Sequence, residues 1–169
     1  MAKILVAGGS LGGLFVANLL HRSGHLVTVL EKSVGSMDGR GAGIVTHEAL
    51  RVALKECGAL VDETLGVYVS KRVTLSSDGA CLGQASVPQI LTSWSRLYQI
   101  LKACFPESLY LQGKGISKLQ QNADEVMVEC EDGSQYTGDL LIASDGIRSS
   151  VRNLLTQYIQ PKYAGYIAW

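Results

Sequence analysis

Cysteine is scarce and scattered: the chain has 4, at Cys57, Cys81, Cys104 and Cys130, with no CxxC pair and no metal-ligand spacing. Such thiols read as the reduced cysteines of a cytoplasmic protein, not as a disulfide framework or a metal site. Long apolar runs are also missing, since none approaches the roughly 18 residues that a membrane span needs. The apolar start, Ile4-Leu5-Val6-Ala7, is cut by Gly8-Gly9-Ser10 too early for a signal peptide and reads as a strand. Neither sign of charge dominates: 15 basic and 15 acidic residues give no formal net charge. That balance excludes a generally basic nucleic-acid surface. With 47% hydrophobic and 18% charged residues, an acidic disordered chain is excluded as well. Proline is low, at 3. The composition is neither collagen-like nor that of a coiled coil. What the chain has in excess is glycine, 19 of 169 residues, and the positions of those glycines carry the argument.

The length suits a single domain with its own core, and no linker or repeat divides it. Lys3 to Ala7 is fully apolar, as expected of a parallel strand buried on both faces. Leu11 to Arg22 places Leu11, Leu14, Phe15, Val16, Leu19 and Leu20 on one helical face, and Gly24 is the expected cap. Leu26 to Leu30 is a second apolar strand ending at Glu31, which completes a βαβ unit. After a glycine-rich loop, Thr46 is the expected N-cap of a helix from about His47 to Cys57. Leu65 to Val87 alternates around Ser77-Asp78-Gly79 as a hairpin. Thr92 or Ser93 starts a helix from Trp94 to Phe105, ahead of Pro106. A short strand at Leu109 to Leu111 and an antiparallel meander over 116–136 follow. Asp139 to Ala143 is again a buried strand, leading through Ser144-Asp145-Gly146 into a helix near Ser149 to Thr156.

The strongest local signal is Gly8-Gly9-Ser10-Leu11-Gly12-Gly13, between the first strand and the first helix. It matches the GxGxxG phosphate-binding pattern with Ser10 at the middle glycine. Gly8 permits the tight turn, and Gly13 permits close packing of helix on strand. The N–H groups and positive dipole end of the Leu11 helix then face an anion. Glu31 follows Gly13 by 18 residues, the place for a carboxylate accepting from a ribose 2′-OH, and Lys32 stands beside it. A carboxylate there disfavours a 2′-phosphate, and both FAD and NAD carry the free hydroxyl. Gly39-Arg40-Gly41-Ala42-Gly43-Ile44 can lay its backbone against a flat ring while Arg40 pairs with an anion. Arg96 lies on the helix that starts near Trp94, and Asp145 lies at the carboxyl end of a strand, where α/β sheets bind ligands. His21 and His25 read as surface residues flanking a turn, and His47 as a helix-start residue.

Together these segments resemble the single-component FAD-dependent aromatic monooxygenases, the para-hydroxybenzoate hydroxylase-like group. The resemblance is nearest to the dihydroxypyridine hydroxylase branch. It is carried by 8–14, by 39–45, by Thr92-Ser93-Trp94-Ser95-Arg96-Leu97-Tyr98, by 163–169 and by Asp145-Gly146. It implies an α/β, Rossmann-like (GR2-type) FAD-binding fold, in which a parallel sheet is joined by a small antiparallel β-meander and the substrate domain is incomplete. It implies that Gly8, Gly9, Ser10, Leu11 and Gly13 hold the FAD pyrophosphate and Glu31 the adenosine ribose. Arg40, Gly43 and Ile44 would lie near the flavin side, and Arg96 would reach the phosphates or ribityl chain. Asp145 and Gly146 match the family's Asp-Gly motif, implicated in contact with FAD and in NAD(P)H use, and Arg148 and Arg152 belong to the same motif. For the complete enzyme the resemblance implies NAD(P)H as reductant and O₂ as co-substrate. A flavin hydroperoxide would then hydroxylate an aromatic or N-heteroaromatic small molecule. No side chain is expected as catalytic acid or base. Tyr163, Tyr166 and Trp169 stand among apolar residues without a stop signal, so the expectation is the first part of a larger fold. The alternatives are a non-catalytic truncated nucleotide-binding chain and an NAD-dependent Rossmann dehydrogenase.

Overall fold

The computed structural model describes residues 1–37, 39, 41–156 and 159–166. The chain forms two compact units, one built from Met1–Ser36 and Phe105–Trp169, the other from Met37–Cys104. Its elements, in chain order, are β1 (Lys3–Ala7), α1 (Leu11–Arg22), β2 (Leu26–Glu31), β3 (Gly43–Thr46), α2 (Glu48–Glu56), β4 (Val67–Leu75), β5 (Cys81–Ser93), α3 (Trp94–Cys104), β6 (Tyr110–Gln112), β7 (Ile116–Gln121), β8 (Val126–Cys130), β9 (Gln135–Gly138), β10 (Leu140–Ala143) and α4 (Ser150–Leu155).

In the first unit a parallel sheet has the order β10-β1-β2-β6. Its central strand pairs Ala7 with Leu30 on one side and with Ala143 on the other. Because side chains alternate across a strand, β1 has two apolar faces. Leu5 and Ala7, with Leu30 of β2, pack against Ile116, Val126, Val128 and Cys130 of the meander β7-β8-β9 and against Val151 of α4. The opposite face receives α1. The buried stripe of that helix is Gly13, Leu14, Ala17 and Asn18, while Leu19 is 38% exposed. Large apolar residues therefore mark the α1 face less well than the small ones do, because Gly13 and Ala17 let the helix axis come close to the sheet. Full burial of residues such as Leu5, Leu14 and Val29 contributes about 1.5–3 kcal/mol each.

The second unit has an antiparallel sheet of order β3-β5-β4. Pro88 interrupts the long strand β5 where the pairing shifts, between Val69↔Gln89 and Lys71↔Ser86, a bulge being one of the few places a strand accepts proline. The core of this unit includes Leu54, Leu65, Leu97 and Leu101, all buried. Two local expectations change. His47, not Thr46, is the N-cap of α2, its Nδ1 accepting from Leu50 N–H at 3.3 Å. Thr46 instead closes β3, where its hydroxyl donates to the Ile90 carbonyl at 2.9 Å. In the first unit, His21 is half-buried, edge-on to Phe105 at 5.7 Å, and not a plain surface residue.

Candidate functional site

Three neighbouring parallel strands of the first unit end at the same edge of the sheet. β1 runs into the glycine loop, β2 ends on Glu31, and β10 leads into Ser144-Asp145-Gly146. The hydrogen-bond ladder continues one step past the strands, with Gly8 N–H donating to Leu30 O and Ser144 N–H to Ala7 O, each at 2.8 Å. Sheet order reverses at β1, since its crossover through α1 leads to β2 while β10 takes the other side. Such a switch point is where open α/β sheets bind ligands.

Gly8, Gly9 and Gly13 each meet a neighbour that leaves no room for a side chain, while Gly12 faces open space. Gly8 has φ 91°, and a Cβ there would lie 2.5 Å from the Ser144 carbonyl oxygen and 2.8 Å from Asp145 Cα. A Cβ on Gly13 would run into the Gly8 carbonyl oxygen. One on Gly9 would meet the Tyr110 ring, 2.5 Å from Cζ. The loop thus folds back over the start of α1 with the β10 turn against it. Ser10 is the N-cap residue, its carbonyl accepting from Leu14 N–H at 2.9 Å, but its hydroxyl caps nothing. No acid stands in the first turn of α1. The first N–H groups of a helix have no acceptor within it, so those of Leu11 and Gly12 remain available to an anion.

Glu31 is 5% exposed and acts as the internal brace of this loop. Its Oε2 accepts from Gly9 N–H at 2.7 Å and its Oε1 from Ser33 N–H at 2.8 Å. Each carboxylate oxygen offers about two lone-pair sites, so one on each remains for a hydroxyl. Lys32 is exposed beside it. Tyr110, at the start of β6, donates its hydroxyl to the Gly9 carbonyl at 2.9 Å and is buried. Sequence reasoning missed Tyr110, because a lone tyrosine in a three-residue strand has no spacing that ties it to a loop a hundred residues earlier.

Asp145 is engaged in starting α4. Its carboxylate accepts from the Ser149 hydroxyl at 2.5 Å and from Val151 N–H at 3.2 Å. Ser149 in turn caps the helix by accepting from Arg152 N–H at 2.9 Å. Gly146, with φ 79°, is exposed in the turn, as is Arg148, and Arg152 donates to the Ile147 carbonyl at 2.7 Å.

The remaining candidates lie in the second unit. Arg40 is outside the described residues. Gly43 and Ile44 sit in β3, paired with Ser93 and Thr92. Gly39 N–H donates to the Ser95 hydroxyl at 3.1 Å, and a Cβ on Gly41, with φ 82°, would meet the Trp94 side chain. Arg96 is half-buried, and its guanidinium donates to the Thr64 carbonyl at 3.1 Å and to the Thr64 hydroxyl at 2.8 Å. The hydroxyl and N–H of Thr64 donate to Asp62 and hold its carboxyl below the usual range, with Arg96 adding a smaller pull.

No family model matches the chain. It is 32% identical over 167 residues to 2,6-dihydroxypyridine 3-monooxygenase of Paenarthrobacter nicotinovorans, across 99% of this chain and 42% of that relative. The solved structure of 2,6-dihydroxypyridine-3-hydroxylase from Arthrobacter nicotinovorans superposes with a TM-score of 0.88 at 31% identity, over 97% of this chain and 42% of the other. Klebsiella pneumoniae HpxO, solved with FAD and uric acid, shares the fold at a TM-score of 0.73 and 24% identity, over 89% of this chain and 41% of its own. The chain therefore spans less than half the length of the relatives it matches. Among the described residues, no helix is long and apolar enough to cross a membrane. Over its whole length the chain is a homologue of the N-terminal portion of the FAD-dependent monooxygenases, the group that includes 2,6-dihydroxypyridine 3-monooxygenase.

Proposed function

We propose that this chain binds FAD through the edge where β10, β1 and β2 end, within a NAD(P)H-dependent flavoprotein monooxygenase that hydroxylates an aromatic or N-heteroaromatic ring. The observation that carries the proposal is the braced glycine loop: Gly8, Gly9 and Gly13 leave no room for side chains, and the start of α1 has neither a side-chain cap nor an acid. A diphosphate fits that environment, because uncapped N–H groups and the helix dipole both favour negative charge. The spare lone pairs on Glu31 fit ribose hydroxyls. The likeness to FAD-dependent relatives supports the same reading, and it does not favour an NAD-dependent dehydrogenase.

When bound, the flavin supplies electron transfer and oxygen chemistry that no side chain here can supply. The chain's own residues bind and orient. Ser10, Leu11 and Gly13 form the turn that takes the diphosphate, Glu31 holds the ribose, and Lys32 adds a positive charge beside it. Asp145 and Gly146 adjoin the loop because Gly8 has no side chain. Gly43, Ile44 and Arg96, together with Arg40, are proposed to serve the flavin end of the same cofactor. NAD(P)H, O₂ and a small aromatic molecule are the proposed partners of the complete enzyme, and the cytoplasm its proposed location.

The test is a fluorescence titration of the purified chain with FAD, repeated on Ser10→Asp. Aspartate is a preferred N-cap residue, so this variant keeps or raises the thermal midpoint while placing a negative charge where the diphosphate belongs. We expect saturable FAD binding in the parent chain and none in the variant. Stoichiometric NAD binding without FAD affinity would overturn the reading.

A further inference from the structure

We propose that Tyr110 is a positioning residue that sets the polarity of the glycine loop, so that the Gly9–Ser10 peptide presents its N–H and not its carbonyl to an anion. The inference rests on the diphosphate-binding role of that loop. Two side chains reach the loop from neighbouring strand ends, and each fixes a different peptide plane. Glu31, ending β2, takes the Gly9 N–H at 2.7 Å. Tyr110, opening β6, donates to the Gly9 carbonyl at 2.9 Å.

In a trans peptide the carbonyl and the following N–H lie in one plane and point in opposite directions. No cis peptide occurs among the described residues. The Gly9 carbonyl is turned towards Tyr110, so the Ser10 N–H is turned away from it. The same reasoning applied to Glu31 turns the Gly8 carbonyl away from the carboxylate, and it lies beside Gly13, where a Cβ would strike it. Among the described residues the tyrosine hydroxyl is the hydrogen-bond partner that opposes rotation of the Gly9–Ser10 peptide, and glycine is the residue whose backbone resists rotation least. A rotated peptide would point a carbonyl oxygen, a partial negative charge, at the diphosphate. The Tyr110 ring is also the wall that excludes a side chain at position 9. Tyr110→Phe keeps that wall and removes only the hydroxyl.

The experiment compares the parent chain with Tyr110→Phe using three probes: FAD, ADP and adenosine. Adenosine lacks the diphosphate and reads the rest of the nucleotide site. One hydrogen bond of ordinary strength predicts that Kd for FAD and ADP rises about three- to tenfold while adenosine is unchanged. Equal weakening of ADP and adenosine would show a merely structural role and overturn the proposal, as would no change with any probe. A second readout needs no ligand. In the ligand-free variant the Gly9 carbonyl ¹³C resonance should shift and the Ser10 amide should broaden or double as the peptide samples both orientations. Unmoved Gly9 and Ser10 resonances overturn the role of Tyr110. A parent chain that binds neither FAD nor ADP, with those resonances moving as expected, overturns the flavin reading and leaves the orienting role of Tyr110 standing.

Discussion

Gly13 and Gly43 are both candidate cofactor residues, one in each unit, and their surroundings are opposite. A Cβ on Gly13 would strike the Gly8 carbonyl, whereas one on Gly43 finds its nearest neighbour, the Thr92 carbonyl oxygen, at 3.9 Å. The same contrast runs through the other candidates. Gly8, Gly9 and Glu31 are buried and tied to one another, while Gly43 is exposed, and Ile44 and Arg96 are half-buried. In the first unit the candidates are part of what holds the fold together. In the second, Gly43 and Ile44 stand on β3 and Arg96 on α3, and none of the three belongs to the buried core that includes Leu54, Leu65, Leu97 and Leu101. Among the candidates, Gly8, Gly9, Gly13 and Glu31 of the first unit are thus also residues that hold the fold, whereas those of the second unit are not.

The matched pair Gly13→Ala and Gly43→Ala tests that contrast with the largest expected difference. One methyl group at position 13 strikes the Gly8 carbonyl and forces α1 off the loop, and overpacking of this kind costs about 3 kcal/mol or more. The same methyl group at position 43 enters open space, and the cost should stay within about 0.5 kcal/mol. Urea denaturation of the two variants measures both. Equal destabilisation would break the comparison.

Glu31→Gln should have a smaller effect of the same kind. A carboxylate can accept from both Gly9 and Ser33, but an amide has one oxygen and would turn an NH₂ towards one of those N–H groups. Leaving one buried donor unpaired costs about 1–3 kcal/mol. Stability from chemical denaturation and Kd for FAD should worsen together, because the brace of the loop and the proposed ribose acceptor are one side chain. A variant with full stability and weakened FAD would separate the two roles.

Much of the first unit was legible because its signals are local. The βαβ unit, the loop pattern and the acid after the second strand all lie within 31 consecutive residues. The buried stripe of α1 was read less well. Hydrophobic periodicity weights large residues, while Gly13 and Ala17 contribute by taking up little space. The α2 cap was misplaced by one residue, because Thr46 and His47 can both accept at a helix start and the β3–β5 ladder claims the threonine. The second unit's residues fall within the first unit's in chain order. The glycine-rich loop around 36–37 and Pro106 after the helix read equally well as ordinary loops, so the division was not read from the chain. Tyr110 was hidden because its contact with Gly9 depends on which strands become neighbours, which only the sheet order β10-β1-β2-β6 specifies. The bonds of Asp145 to Ser149 and Val151 span only four and six residues, so they are as local as the loop pattern.

Arg96 is the sharpest remaining point of comparison and carries the smallest expected change in stability. The family resemblance assigns it to the cofactor, while the geometry of its own unit assigns its guanidinium to Thr64, at 3.1 and 2.8 Å. These bonds lie at a solvated position, so Arg96→Ala should cost under about 1 kcal/mol. Thr64 keeps its bonds to Asp62 in the variant, which limits the damage to the turn. The informative quantity is therefore FAD affinity at nearly constant stability. If Arg96 serves the cofactor, Kd should rise in Arg96→Ala, and more steeply at low ionic strength, where a charge on phosphate acts furthest. A small loss of stability with unchanged Kd at every salt concentration would make Arg96 a structural residue of its unit. The cofactor contacts of this chain would then rest on the first unit's loop, Glu31 and the Asp145 turn, along with whatever Gly43, Ile44 and Arg40 contribute.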